Sequence, residues 1–158
     1  MISIFELDKL IVIVSPVFCA LKQLNVAKAK IENMNYCDSL NSSLYNFLKK
    51  NKKSIILGED LLDPYGGAFK VTKNLSSAFS KQVIDMPISE SSIIGVSTGL
   101  AHSGHKVIAE LMFGDFLTLT VDQIHNGISK SLELIDKKSF GSLTIRAPMG
   151  AYRGYGCT

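Results

Sequence analysis

From Asn35 onward the chain alternates short apolar runs with amphipathic stretches. Leu40, Leu44, Phe47 and Leu48 recur at helical spacing, and Asp38 or Ser39 can cap the helix they define. Ser54 to Leu57 is a short apolar strand ending at Gly58-Glu59-Asp60. Asp63-Pro64-Tyr65-Gly66-Gly67 carries turn chemistry, and Thr72 to Phe79 reads as a short helix. Val83 to Ile88 predicts a strand that ends at Pro87. Ser91 to Ser103 predicts a helix with Ile93, Val96 and Leu100 on one face, closed by Gly104. Lys106 to Met112 is the next strand. Asp115 can cap a longer helix whose stripe is Leu117, Val121, Ile124 and Ile128. Ser142 to Ile145 is a last strand, stopped by Pro148. This alternation predicts an α/β fold: a mainly parallel sheet with helices on both faces and right-handed crossovers.

Residues 1–34 read differently, apolar and then Lys-rich, and form an appendage of unknown role in which Met34 is an alternative start. The apolar run from Leu10 to Leu21 is a poor signal peptide, because Glu6 and Asp8 precede it and Pro16 splits it. The run is also too short to span a bilayer. The segment 35–158 reads as one domain, apparently truncated at its carboxy-terminal end, since a parallel sheet rarely stops on an open glycine-containing loop such as Met149 to Thr158.

Composition changes this picture little. The chain has 158 residues, 46% hydrophobic and 20% charged, which excludes a disordered or low-complexity protein. A net charge of +3 leaves no electrostatic footprint for nucleic acid. The basic run Lys49-Lys50-Asn51-Lys52-Lys53 fits a helix C-terminus, with an anion site as the alternative. Cys19, Cys37 and Cys157 are widely spaced and form no CxxC, so neither zinc nor a disulfide framework is expected. A reducing, cytoplasmic location follows, with no membrane partner.

In an open parallel sheet, ligands bind beyond the carboxyl ends of the strands. That edge collects Glu59 and Asp60, Ser89-Glu90-Ser91, Phe113 and Phe116, and Arg146 with Pro148. Neither GxGxxG nor GxxxxGK[ST] is present, so a phosphate-bearing ligand would need another chain for its phosphates. Glu90, between a strand end and a helix start, is the most informative residue. From spacing alone it is a first-turn acid complementing the helix dipole, worth about 0.3–1 kcal/mol. Gly95 and Gly99 make a small-residue face, either packed internally or used as a subunit contact. His102, His105 and His125 have no partners in sequence for a triad or a metal site.

The runs Gly58-Glu59-Asp60, Tyr65-Gly66-Gly67-Ala68-Phe69-Lys70-Val71-Thr72-Lys73 and Asp85-Met86-Pro87-Ile88-Ser89-Glu90 point further. So do Ala109-Glu110-Leu111-Met112-Phe113-Gly114-Asp115-Phe116, Asp122-Gln123-Ile124 and Thr144-Ile145-Arg146-Ala147-Pro148. In this order and spacing they resemble the beta subunit of thiamine-diphosphate-dependent 2-oxo-acid dehydrogenases of the pyruvate, branched-chain and acetoin type. The resemblance covers residues 35–158 and implies the pyrimidine-binding domain of the transketolase-like superfamily. It implies that Glu90 hydrogen-bonds the N1′ ring nitrogen of the cofactor's aminopyrimidine, so that the ring can take the thiazolium proton. Phe116 matches the aromatic that stacks on the aminopyrimidine, and Glu59 matches an acid near the cofactor end of the first strand. Leu143 matches a potassium-binding carbonyl of some members, but the other ligands would lie past Thr158, so no metal site is expected.

The same resemblance implies the partners. A separate alpha subunit would hold the diphosphate and its magnesium, a second beta subunit and a lipoyl acyltransferase core would complete the assembly, and a 2-oxo acid would be the substrate. The chain alone is expected to be inactive. The alternatives are a non-catalytic fragment or assembly module derived from this domain, and a transketolase or deoxyxylulose-phosphate synthase relative, whose glutamate motifs differ from Ile88-Ser89-Glu90.

Overall fold

A computed structural model describes residues 3–7, 10–16, 35–134 and 139–149. In chain order the elements are β1 (Ser3–Leu7), β2 (Leu10–Pro16), α1 (Tyr36–Lys50), β3 (Ser54–Gly58), α2 (Leu75–Ala78), β4 (Val83–Asp85), α3 (Glu90–His102) and β5 (Lys106–Glu110). A 3-10 segment (Gly114–Thr120), a π-helical segment (Gln123–Ser129), α4 (Lys130–Leu134) and β6 (Ser142–Met149) follow. The sheet order is β1-β2-β6-β5-β3-β4. The expected parallel sheet is present: β4, β3, β5 and β6 run parallel, with Gly58 opposite Asp85 and Glu110, and Glu110 opposite Arg146. β2 joins β6 in parallel and β1 joins β2 antiparallel, so part of residues 1–34 extends the sheet.

Strand alternation divides the core. Ile55 and Leu57, Val107 and Ala109, and Leu143, Ile145 and Ala147 share one cluster with Ile93, Ile94 and Ala101 of α3. Ile56 turns the other way and packs with Leu44 and Leu48 of α1, with Leu61 and Val71 of the loop after β3, and with Leu75 of α2. Both faces of the sheet are therefore covered, which is why β3 is buried at every position.

Several local expectations shift, each for a physical reason. Asn35 caps α1 instead of Asp38 or Ser39; its side chain accepts from Asp38 N at 2.9 Å. The predicted stripe holds: Leu44 and Leu48 are buried, with Leu40 and Phe47 packed beside them. Lys49 and Lys50 close the last turn of α1, matching the charge-capped end. The helix expected from Thr72 shrinks to Leu75–Ala78 because Asn74 is left-handed, at φ +65°. α3 buries Ile93, Ile94, Ser97 and Ala101 and leaves Val96 exposed, so its inner face is rotated from the one expected. Ser97 tolerates burial because its hydroxyl donates to Ile93 O at 2.7 Å.

The stretch after Asp115 is not one helix. It changes pitch from 3-10 to π to α, begins behind Phe113, and buries Ile128 while exposing Val121. Pro148 does not stop β6, which continues to Met149. The neighbouring β5 has already ended at Glu110, so no ladder bond toward β5 is asked of Pro148. Gly104, at φ +83°, closes α3 as expected. Cys19, Cys157 and the loop 150–158 lie outside the described residues.

Candidate functional site

The parallel strands all end at one edge, and the acidic residues gather there. β3 ends at Gly58, so Glu59 and Asp60 leave the sheet at its carboxyl end. β4 ends at Asp85, whose carboxylate accepts from Leu61 N at 2.9 Å and holds the start of the loop after β3. Met86 N donates to Gly58 O at 2.8 Å and continues the ladder one step. The chain then turns through Pro87 and Ile88 to Ser89, the N-cap of α3, placing Glu90 in the first helical turn. Ser89 contributes its carbonyl, which accepts from Ile93 N at 2.9 Å, while its hydroxyl pairs with Ser92.

Glu90 is 9% exposed and Glu59 7% exposed. Buried acids of this kind are uncommon without cationic partners. Glu59 Oε1 is buried and has no hydrogen-bond partner. Burial pushes the Glu59 carboxyl above its ordinary value of 4.5, and the negative charges of Glu90, Asp60 and Asp85 push it the same way. The Glu90 carboxylate therefore lies near enough to act on Glu59.

Arg146, placed at this edge from the sequence, is committed elsewhere. It lies inside β6, opposite Glu110, and its Nη1 pairs with Glu110 Oε1 in a close charge contact rather than a well-angled hydrogen bond. By strand alternation, Arg146 and Glu110 face α1, whereas their neighbours Ile145, Ala147 and Ala109 face α3. Glu90 heads α3 and is not paired with Arg146, the one arginine among the described residues.

Phe116 sits in the 3-10 segment and is 37% exposed. Its ring meets Phe113 edge-on at 5.9 Å, and Phe113 meets Phe69 at 6.1 Å. Ser91 Oγ donates to Leu119 O at 2.7 Å, tying the first turn of α3 to the segment that carries Phe116. The structure thus brings Glu59, Glu90 and Phe116 to one edge: two buried acids and a half-exposed ring. A carboxyl whose charged form is disfavoured can hold or release a proton, and a ring with a free face can stack on a flat heterocycle.

His102 and His105, by contrast, have structural partners. His102 Nε2 lies 3.0 Å from Ser131 Oγ and its ring packs against Phe140. His105 Nδ1 lies 3.2 Å from Leu100 O. His125 is exposed. Among the described residues no group of three or more His, Cys, Asp or Glu could hold a metal ion, and no helix is long and apolar enough to cross a membrane. Gly95 packs internally, with room beside it taken by Gln123 Oε1, whereas Gly99 faces open space. A groove of about 710 Å³ lies between the start of α1 and Phe69, Lys70 and Lys73, but none of Glu59, Glu90 or Phe116 lines it. Glu110 was not singled out from the sequence as a site residue. A carboxylate closing an apolar strand, opposite an arginine on the next, is the signal that could have found it.

Comparison with known proteins gives the family. Residues 32–153 match the family of transketolase pyrimidine-binding domains. The 2-oxoisovalerate dehydrogenase subunit beta 2, mitochondrial, of Arabidopsis thaliana is 37% identical over 122 residues, 76% of this chain and 34% of that protein. The pyruvate dehydrogenase E1 component subunit beta of Leifsonia xyli is 32% identical over 126 residues, 79% of this chain and 37% of its own length. The acetoin:2,6-dichlorophenolindophenol oxidoreductase subunit beta of Cupriavidus necator is 34% identical over 122 residues, 72% of this chain and 36% of its own. The chain spans about a third of the length of these relatives.

Proposed function

Because the chain belongs to the family of transketolase pyrimidine-binding domains, we propose that it forms the pyrimidine side of the active site of a thiamine-diphosphate-dependent 2-oxo-acid dehydrogenase. Relatives named as E1 beta subunits support the class. The observation that carries the reading is Glu90, buried at the carboxyl edge of a parallel sheet and free of Arg146.

The residues present fit half of the cofactor. Glu90 supplies a carboxyl in a largely dry setting to a ring nitrogen, Phe116 offers an aromatic face, and Glu59 leaves an unpartnered buried oxygen beside them. The diphosphate half finds no counterpart: no phosphate loop exists in the sequence, and no metal-binding cluster exists among the described residues. That half, with its magnesium, belongs in this proposal to a separate alpha subunit. Bound thiamine diphosphate supplies the electron sink for decarboxylating a 2-oxo acid. Glu90 holds the proton at the pyrimidine nitrogen, Glu59 lines the same buried edge, and Phe116 orients the ring. A second beta subunit and a lipoyl acyltransferase core complete the proposed assembly, and the cytoplasmic location expected from cysteine usage is part of the same proposal.

The test is Glu90→Gln in the complex assembled with the alpha subunit. Glutamine keeps the shape but cannot relay the proton, so decarboxylation falls by about a hundredfold or more. A loss under tenfold removes Glu90 from the mechanism. Assembly and cofactor binding with no turnover in the wild-type complex would instead identify a non-catalytic assembly module.

A further inference from the structure

The buried pair of Glu110 and Arg146 takes no part in the chemistry proposed above, yet it occupies the centre of the carboxyl edge. Glu110 is 6% exposed, and its Oε2 is buried without a hydrogen-bond partner. Its surroundings bracket Glu59 from both sides. A Cβ placed on Gly58, the residue before Glu59, would collide with the Glu110 backbone and lie 3.1 Å from Glu110 Cβ. A Cβ placed on Gly67 would lie 3.7 Å from Glu110 Oε1 and 3.2 Å from Thr72 Oγ1. Gly67 N in turn donates to Asp60 O at 2.9 Å, the residue after Glu59. Asp60 is left-handed, at φ +53°, a conformation that needs support in a residue with a Cβ, whereas Gly67 adopts φ +79° freely.

We propose that Glu110 is a positioning residue: its main chain and Cβ lie against Gly58, and its carboxylate, aligned by Arg146, buttresses the loop at the Gly67–Asp60 contact and so keeps Glu59 turned into the buried edge. The inference rests on Glu59 lying in the cofactor site, but it concerns the placement of Glu59 in the free chain. It therefore stands or falls without activity. The pair contributes mainly shape. A buried ion pair can often be replaced by neutral groups of similar volume with little loss, whereas removing one partner leaves a buried charge.

The experiment follows the titration of the Glu59 carboxyl by carbon-13 NMR in the full chain, assigned with Glu59→Gln. Wild type titrates above 4.5, because the site is buried and because Glu90, Asp60 and Asp85 face it. In Glu110→Gln/Arg146→Met both charges are gone and the volume is kept, so the Glu59 midpoint stays within about 0.3 unit of wild type. In Glu110→Ala/Arg146→Met the carboxylate buttress is gone, water reaches Glu59, and the midpoint falls back toward 4.5. Gly67→Ala, which leaves Glu110 in place but displaces the loop, lowers it in the same direction. Equal midpoints in the two double variants overturn the proposal. Glu90→Gln activity in the assembled complex tests the catalytic reading separately.

Discussion

Glu59 and Asp63 are four residues apart on one loop, and their environments are opposite. Asp63 accepts from Asn74 N at 2.6 Å, Ser76 Oγ at 2.7 Å, Ser77 Oγ at 2.6 Å and Ser77 N at 3.0 Å. The Ser77 and Ser76 hydroxyls, then the Asn74 amide, drive its carboxyl well below the usual carboxylate range. Glu59 is more deeply buried and has an oxygen with no donor, and its carboxyl is driven upward. An acid surrounded by donors staples a loop. An acid denied them keeps its affinity for a proton.

Substitutions at each site can break or sharpen this contrast. The largest effect belongs to Glu59→Gln, which removes a proton-holding group from the edge. Activity of the assembled complex falls about tenfold or more, while the melting temperature at neutral pH rises. Unchanged turnover would reduce Glu59 to a loop element and erase the contrast. Next, Phe116→Ala removes the half-exposed ring and weakens thiamine diphosphate binding by about 1 kcal/mol, measured by titration calorimetry on the complex. Asp63→Ala acts on the opposite pole. It lowers stability by about 1 kcal/mol, roughly 3 °C in melting temperature, and leaves cofactor affinity within twofold.

The smallest effect is the pH dependence, in which the two acids have opposite signs. The folded-state value of Glu59 is raised, so its contribution is fully present below 4.5 and is lost as pH climbs through the folded value. The value of Asp63 is lowered from 3.8, so its contribution is present above that pH and is lost as pH falls. Melting scans from pH 3 to 8 should flatten on the alkaline side in Glu59→Gln and on the acid side in Asp63→Asn.

Much of the scaffold was legible because burial is periodic. Leu44 and Leu48 on α1, the continuous apolar run of β3 and the glycine closing α3 each express a local rule, and each sits where the rule put it. The edge was legible as well, since parallel strands deliver their carboxyl ends to one side and Glu59 and Glu90 follow two of them. What local rules could not supply was direction. α3 presents Ile94 and Ser97 inward rather than Val96, because its rotation is set by the sheet beneath it. Arg146 read as a ligand-facing cation, but the parity of β6 turns it toward α1 and into Glu110. Asn74, left-handed at φ +65°, shortened a helix that its neighbours' composition favoured.

The change of pitch between Gly114 and Leu134 has its own consequence. A π turn carries more residues than an α turn over the same ground, so Gln123–Ser129 works as slack in the chain. It lets the 3-10 segment set the azimuth of Phe116 while Ile128 still lands in the hydrophobic interior. Sequence drift that adds or drops a single amino acid there could be absorbed locally, without dragging the aromatic ring around the axis.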